Sequence, residues 1–219
     1  MAAVNELTLA ELALVLAPEI AGAAAFDGWS EAAVAAAAAT HGISADTARL
    51  VFPGGAMDMI AAWIARIDAD MIEALPAERV GNLPIRERIR ALVQFRLDAL
   101  AGREEALRRA LAVMAMPQNF ARAARLAWHS ADAMWRLAGD TATDYNHYTK
   151  RATLGALYTA TLLVLVDDTS EDKAETRAFL SRRIDGVMRF EKAKARLLRS
   201  DEDSFSVMRL LGRLRYSAR

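Results

Sequence analysis

The feature that most constrains this sequence is residues 132–151, DAMWRLAGDTATDYNHYTKR, where one helix is predicted to end and another to begin. Apolar residues keep helical spacing up to Ala138, and Gly139 follows the last of them, as a C-cap glycine does. The oxygens that come next, ending with the Asp144 carboxylate, are suited to cap the following helix. This segment, called the joint below, therefore predicts two helices that meet at a polar turn.

The helix after the joint is predicted to cover residues 145–166, and alanine, leucine and small hydroxyl residues occupy most of it. A helix that is apolar on all sides needs a deep core or a lipid-like environment. One interpretation is that it makes only core and dimer contacts. The other is that small residues such as Gly155, Ala156 and Ala160 leave a slot against the preceding helix. The side chains predicted to line that slot are Leu126, Met134, Trp135, Leu137, Tyr158 and Thr161.

Toward the amino end, short helices are predicted ahead of a long one. Pro18 permits a break or a new first turn after a first helix. Ser30 and Ser44 are good N-caps for the next two helices, and Pro53 precedes the long helix. The order helix, turn, short helix, Phe-Pro, long helix is typical of a helix-turn-helix headpiece of the TetR type. The predicted helices cover residues 6–17, 31–40, 45–51 and 57–75, within a headpiece of residues 1–75.

Several segments together resemble one family. They are AGD and TDYNHYTKR at the joint, DDTSED and FLSRRI after it, MAMPQNF before it, and FDGWSEAAVAAAAATHGIS with FPGG near the amino end. These segments are similar to the TetR-fold lipid-binding accessory proteins of coenzyme Q (ubiquinone) biosynthesis, over roughly residues 6–195. The resemblance implies an all-α, TetR-like homodimer that binds isoprenoid quinone precursors in the slot.

A helix-turn-helix headpiece raises the alternative of a ligand-responsive transcription regulator. Duplex binding depends on several phosphate contacts from cationic side chains. Through residue 65 the chain has one basic side chain, Arg49, and seven acidic ones. The presumed recognition helix offers only Asp46, Thr47 and Arg49. We therefore predict that the fold is kept without nucleic-acid binding.

The segment from Pro76 to Pro84 leads into a predicted helical bundle of residues 76–200, for lipid binding and dimerisation. Helical spacing predicts helices over residues 85–100, 104–115 and 118–138 before the joint. After residue 166, Asp168 to Ser170 are predicted to start a further helix that reaches residue 198.

The sequence carries no recognisable catalytic or metal-binding motif. Its three histidines, His41, His129 and His147, lie in different predicted helices or turns, and no cysteine is present. No glycine-rich nucleotide motif or nucleophile motif occurs either. We predict a protein that is not an enzyme and has no catalytic residue, metal or cofactor.

The joint mixes aromatic and charged side chains at a helix start that is predicted to be exposed, and such residues anchor many interfaces. In the family that this chain resembles, the corresponding patch engages the di-iron hydroxylase that acts on demethoxyubiquinone. Asp144, Tyr148 and Arg151 match that patch, and His147 stands where the family commonly has tryptophan. These four are the predicted partner-binding residues. The alternative is structural, with Asp144 as a cap and Arg151 paired with a neighbouring acid.

Residues 201–219 are predicted to form a short basic amphipathic helix over residues 205–216, which is typical of contact with a membrane surface. The alternative is a helix packed on its own bundle. From residue 177 onward, twelve basic side chains face five acidic ones, which favours attraction to anionic lipid. The predicted membrane-contact residues are Val207, Leu210, Leu211, Leu214, Arg209 and Arg213.

The amino end has no basic or arginine-rich presequence, and the longest apolar run, around residues 162–166, is too short for a membrane span. We therefore expect a soluble or surface-attached protein, cytoplasmic and peripheral at the inner face of a bacterial membrane. Together with the resemblance, this predicts a factor that presents quinone precursors to the hydroxylase.

Overall fold

The computed structural model describes residues 7–143 and 145–189, and every regular element in these ranges is helical. Short 3-10 turns at Pro117–Asn119 and Glu171–Lys173 precede two of the helices. The predicted all-α class is confirmed. The helices are α1 (Leu9–Asp27), α2 (Glu31–Thr40), α3 (Ala45–Val51), α4 (Ala56–Ala74), α5 (Ala77–Val80), α6 (Ile85–Asp98), α7 (Glu104–Met114), α8 (Phe120–Leu137), α9 (Tyr145–Asp167) and α10, which covers residues 174–189 of the described chain.

Side-chain caps begin α2 and α3 where the sequence predicted them. The Ser30 hydroxyl accepts a hydrogen bond from the backbone N–H of Ala33, and the Ser44 hydroxyl accepts one from that of Thr47 at 3.1 Å. Each cap supplies an acceptor to a backbone donor that the first helical turn leaves unpaired. The predicted spans of α2 and α3 are confirmed, and each end of α4 lies one residue before its predicted position.

Helix α1 is longer than predicted, because Pro18 lies inside it. Proline removes a backbone donor and disfavours a helix interior. Leu16, Ile20 and Ala24 on either side of it are nevertheless fully buried in the core that α1 shares with α2 and α4. Burial of this face outweighs the local penalty, so the predicted break after residue 17 is wrong.

Helix α1 also has the length and composition of a membrane-spanning helix, with a mean hydropathy of 1.7 in its most apolar window. Glu11 and Glu19 interrupt the apolar residues of α1, so this helix contains no long continuous apolar run. Helices α3 and α4 pass the same test only as a pair across a 79° bend. One third of this window is buried inside the protein. The buried part includes Leu16, Ile20 and Ala24, which pack in the core with α2 and α4.

Helix α4 connects the amino-terminal helices to the rest of the protein. It packs against α1 and against α6, α7 and α8. Its apolar face is buried through residues such as Ile60, Trp63 and Met71. The helices predicted over residues 85–100, 104–115 and 118–138 are confirmed to within two residues as α6, α7 and α8, whereas the short α5 was not predicted.

The joint has the predicted arrangement of two helices separated by a polar turn. Helix α8 ends at Leu137, and Gly139 adopts a φ of 85°, a left-handed conformation that glycine adopts without steric cost. The backbone N–H of Asp140 then donates to the carbonyl of Trp135 at 2.9 Å, which closes the end of α8. Helix α9 starts at Tyr145 and ends one residue beyond its predicted end.

Some predictions lie outside the described residues. They concern Asp144 and the carboxyl-terminal helix, whose predicted membrane-contact residues are Val207, Leu210, Leu211, Leu214, Arg209 and Arg213. The division of the chain into units at residues 75 and 200 stays a prediction.

Candidate lipid-binding cavity

A large apolar cavity lies between α4, α7, α8 and α9. Its volume of about 650 Å³ falls within the range of small-molecule sites in proteins, roughly 300–1,000 Å³. Nearly all of the surface that faces it is apolar. Such a cavity suits a hydrocarbon chain. Its lining includes Trp63 and Ile67 from α4, Leu107 and Met114 from α7, Leu126 from α8 and Leu162 from α9.

The slot predicted between α8 and α9 is only part of this cavity. Of the six predicted lining residues, Leu126 and Tyr158 line it, and so do Gly155 and Ala156 among the predicted small residues. The other four, Met134, Trp135, Leu137 and Thr161, do not line the cavity, which corrects the prediction.

Each of these four side chains has a different environment. Met134 is fully buried in the core, and Leu137 packs against that core. The Trp135 indole N–H donates to the carbonyl of Lys150 at 3.0 Å, and the Thr161 hydroxyl donates to the carbonyl of Leu157 at 2.8 Å. Of these four, Trp135 joins α8 to α9, whereas the Thr161 hydrogen bond lies within α9.

The wall formed by α4 and α7 was not predicted from the sequence. Ile60, Trp63, Ile64 and Ile67 recur at helical spacing along α4 and line the cavity, with a second set from α7. Such a pattern is typical of ordinary core packing. Only the tertiary arrangement distinguishes side chains that meet a neighbour from side chains that face a void.

The outer side of the cavity is formed by exposed residues of α8 and α9. Phe120 at the start of α8 is 69% exposed and Leu163 in α9 is 57% exposed, and both line the cavity. Ala152, Ala156 and Thr159 continue this exposed side along α9. The cavity is thus accessible from the surface that α8 and α9 share.

At its buried side the cavity meets a charged side chain, Arg96 of α6, which is 2% exposed. The Arg96 guanidinium forms an ion pair with Asp68 and donates to the Ser130 hydroxyl at 3.1 Å, and that hydroxyl donates to Asp68 at 3.0 Å. The ring of Tyr158 lies 4.9 Å from the guanidinium carbon. Burial alone would lower the pKa of Arg96, but Tyr158 and Asp68 beside it outweigh burial and raise the pKa. Arg96 is therefore a fixed positive charge.

A second buried cation, Arg151, belongs to the joint and also lines the cavity. It donates to Asp132 at 2.5 Å, to Asp140 at 3.0 Å and to the carbonyl of His147 at 3.1 Å. Lys150 adds a 2.7 Å hydrogen bond to Asp140. Burial would raise the pKa of the Asp140 carboxyl, but hydrogen bonds from Lys150 and Arg151 outweigh burial and lower it.

These contacts correct the prediction for the partner patch. Arg151 was expected at an exposed helix start, yet it is 2% exposed and holds α9 to the end of α8. The contacts of Arg151 agree with the structural alternative, in which it pairs with neighbouring acidic residues, here Asp132 and Asp140. Asp140 and Lys150 share this network. Lys150 belongs to the mixed patch predicted at the joint but not to its four partner-binding residues, and Asp140, in the AGD segment, was not predicted as a functional residue.

The rest of the patch is exposed and aromatic. Tyr148 is 61% exposed and Tyr145 is 74% exposed. The His147 ring lies 5.1 Å from that of Tyr148, and both rings lie near Trp128, at 6.3 and 6.0 Å. Since Trp128 also lines the cavity, the aromatic patch and the cavity share a wall.

The headpiece surface differs from a duplex-binding one. Arg49, the basic residue of α3, lies 3.5 Å from Glu31 and 3.4 Å from Asp46. Its charge is therefore largely compensated by its neighbours. Among the described residues no group of His, Asp and Glu side chains is arranged to hold a metal ion.

Comparison with solved structures gives the fold class. The structure is similar to that of a TetR transcriptional regulator from Nitrosomonas europaea, with a TM-score of 0.63. The match covers 80% of this chain and 96% of that one at 24% sequence identity, so it supports the fold alone. The fold and the cavity define an all-α, TetR-like protein with an apolar site between its helices.

Sequence comparison identifies the family that the chain resembles. A family model described as COQ9 matches residues 120–191. A rat protein named "Ubiquinone biosynthesis protein COQ9, mitochondrial" is 33% identical over 168 residues, which are 74% of this chain and 54% of that protein. The human protein of the same name is 32% identical over 168 residues, covering 74% and 52%. The chain is similar to COQ9 proteins over about three quarters of its length, which confirms the predicted resemblance.

The chain spans about half the length of the curated relatives that it matches. The relatives from rat, human, cattle and Schizosaccharomyces pombe are all named as mitochondrial proteins. This naming overturns the expectation of a cytoplasmic protein at the inner face of a bacterial membrane. That expectation depended on the lack of a presequence, which is weak evidence for a chain that matches only part of its relatives.

Proposed function

We propose that this chain is a non-enzymatic, lipid-binding accessory factor of ubiquinone biosynthesis. The observation that carries the proposal is the apolar cavity of about 650 Å³, two of whose walls, α8 and α9, lie in the segment that matches the family. An isoprenoid tail fits such a cavity by chemistry, since nearly all of the surface around it is apolar. The names of the relatives supply the pathway.

The energetics indicate what the cavity alone is able to do. Each buried CH₂ gains ~0.8 kcal/mol on leaving water, so a long tail leaving water gains much. A tail that leaves a bilayer exchanges one apolar medium for another and gains little. Extraction therefore has to draw on contact with the membrane surface, on packing in the cavity and on recognition of the polar head.

We assign the membrane contact to residues 201–219, which the sequence predicts to form a basic amphipathic helix. Its basic and apolar arcs, with Arg209 and Arg213 opposite Val207, Leu210, Leu211 and Leu214, are typical of an interfacial helix. A basic flank strengthens attraction to anionic lipid, so this helix would hold the cavity near its lipid supply.

The receiving partner in this proposal is the di-iron demethoxyubiquinone hydroxylase, bound through the aromatic patch of Tyr145, His147, Tyr148 and Trp128. Two observations support this position. The tyrosines are exposed aromatic side chains of the kind that anchor interfaces, and Trp128 connects the patch to the cavity wall. Bound lipid would then need to travel only a short way to the partner.

The protein is proposed to act as a homodimer through the exposed apolar side of α8 and α9. Phe120 and Leu163 are large apolar side chains left in solvent on this side, with small residues between them. Exposed apolar surface of this kind often marks a protein interface. A second copy placed there would cover the outer side of the cavity once lipid has entered.

The rival function is a ligand-responsive transcription regulator. The fold allows it, but the acidic headpiece and the ion-paired Arg49 leave little positive charge for phosphate contacts. A gel shift with genomic fragments at low salt separates the two functions. Tight, sequence-selective retention of DNA would favour the regulator.

The direct experiment is native mass spectrometry with lipid extraction, on protein purified from a quinone-producing host. We expect a dimer that carries an isoprenoid quinone or precursor. An empty dimer would contradict lipid binding and favour a structural scaffold, and association with the hydroxylase would then be measured without lipid.

A further inference from the structure

The buried Arg96 has one nitrogen, Nε, without any hydrogen-bond partner in the described part of the chain. Its two terminal nitrogens bind Asp68 and Ser130, but its Nε–H has no hydrogen-bond acceptor among the described residues. A buried donor without an acceptor costs free energy, so a native protein that keeps one usually has a use for it. Because Arg96 lines the cavity, a ligand in the cavity is the available source of an acceptor.

Arg151, the other buried arginine on the cavity wall, differs in this respect. Its Nε donates to Asp132, and its terminal nitrogen donates to Asp140 and to the carbonyl of His147. No buried nitrogen of Arg151 lacks a partner. Of the two cations, Arg96 is therefore the one with capacity for a ligand.

Charge balance defines the kind of acceptor. The Arg96 charge is already matched by Asp68, and the Arg151 charge by Asp132 and Asp140. An anionic head would add an unmatched charge to a buried apolar site, which is unfavourable. A neutral oxygen, such as a ring carbonyl or ether, accepts from Nε–H without that cost.

We propose that Arg96, held by Asp68 and Ser130 and flanked by Tyr158, binds the head of the ligand, which is a neutral ring bearing a hydrogen-bond-accepting oxygen. The ligand lies with its head at this buried side and its hydrocarbon tail toward the exposed side at Phe120 and Leu163. The aromatic ring of Tyr158 gives the head a flat surface on which to pack. This inference rests on the proposed function, because it assumes that the cavity holds a lipid.

The test compares three probes with similar tails, each displacing a neutral naphthylamine dye from the full chain. The probes are a decyl-substituted dimethoxybenzoquinone, decylbenzene and laurate. The key variant is Arg96→Lys, which keeps the charge beside Asp68 but removes the guanidinium fork. Arg90→Lys is the matched control, since Arg90 is on the same helix, pairs with Glu87 and does not line the cavity.

We expect the wild-type chain to bind the benzoquinone more tightly than decylbenzene. Arg96→Lys should weaken benzoquinone binding about tenfold, the size expected for loss of one charge-assisted hydrogen bond, and leave decylbenzene binding unchanged. Arg90→Lys should change neither.

Three results would overturn the inference. Equal losses for benzoquinone and decylbenzene in Arg96→Lys would mean that Arg96 only supports the fold. Laurate binding that is tightest and depends on Arg96 would mean that the head is an anion. If none of the probes displaces the dye from the wild-type chain, lipid binding itself is wrong, and the proposed function fails together with this inference.

Discussion

Asp140, just after α8, and Arg151, in α9, form an ion pair of 3.0 Å in which the two side chains are 5% and 2% exposed. Arg151 also binds Asp132 within α8, and Lys150 binds Asp140. The polar residues of the joint therefore bind one another and fix the position of α9 on α8. Because these two helices form two walls of the cavity, the joint sets the shape of the site.

Replacing Arg151 should destabilise the fold. Arg151→Ala leaves Asp132 and Asp140 without their buried partner, and breaking a buried ion pair from one side costs about 3–5 kcal/mol. Urea unfolding measures the change in free energy. Arg136→Ala is the control, since Arg136 also binds Asp132 but is 74% exposed, and it should cost less than about 1 kcal/mol. Similar small losses in both variants would mean that the joint contributes little to stability.

The same network predicts a dependence of stability on pH. The pKa of Asp140 lies below its ordinary value of 3.8 in the folded protein, because Lys150 and Arg151 donate to its carboxylate. Its contribution to stability is therefore complete above that ordinary value and is lost as pH falls through the lower, folded pKa. Unfolding free energies between about pH 2 and pH 5 should fall more steeply for the wild type than for Asp140→Asn. Equal slopes would contradict the ionised pair.

The sequence was sufficient to predict the joint as a break between helices, because Gly139 and the capping residues act locally. It was not sufficient to predict the burial of Arg151. Arginine in the first turns of a polar helix start normally lies in solvent, and its burial depends on Asp132 and Asp140, which only the fold brings to it. The same limit applies to Pro18, where packing of the whole α1 face outweighs a local signal.

The cavity was predicted only in part for a related reason. Small residues in α9 indicated reduced packing, and Gly155 and Ala156 do line the cavity. The α4 wall and Arg96 gave no such signal, because a void and a filled core use the same apolar spacing. Arg96 in the middle of an amphipathic helix looked like any charged surface residue, and its burial follows from the position of α4 and α9 around it.

The aromatic patch should bind the hydroxylase through Tyr148. Because Arg151 is buried, a joint replacement of Tyr148 and Arg151 would confuse loss of binding with loss of fold, so Tyr148→Ala alone is the better test. An interface anchor of this type contributes about 2 kcal/mol or more, which corresponds to roughly 30-fold weaker association by calorimetry. Unfolding should be nearly unchanged, since Tyr148 is 61% exposed.

The control for Tyr148 is Phe26→Ala, which removes an aromatic side chain that is 84% exposed and belongs to α1 rather than the joint. It should leave association unchanged. If Tyr148→Ala binds the hydroxylase as tightly as the wild type does, the interface lies elsewhere on the protein.

Residues 204–219, which are predicted to form an amphipathic helix, should control attachment to membranes. Deleting residues 204–219 is expected to lower binding to vesicles that contain anionic lipid, measured by sedimentation. Reversing the charges with Arg209→Glu and Arg213→Glu should have the same effect on anionic vesicles and much less on neutral ones, because it removes electrostatic attraction and keeps the apolar arc. Unchanged partition of both variants would assign membrane contact to another surface.

Blocking the exposed side of the cavity should reduce lipid loading. Ala156 is exposed and lines the cavity, so Ala156→Phe places a large side chain at the opening between α8 and α9. Thr153→Phe is the matched control, because Thr153 is an exposed residue of the same helix that does not line the cavity. Native mass spectrometry of protein from a quinone-producing host should give less bound lipid for Ala156→Phe and wild-type loading for Thr153→Phe. Equal loading of the two variants would mean that lipid enters by another route, whereas equal loss would point to disturbed packing of α9 rather than to a blocked opening.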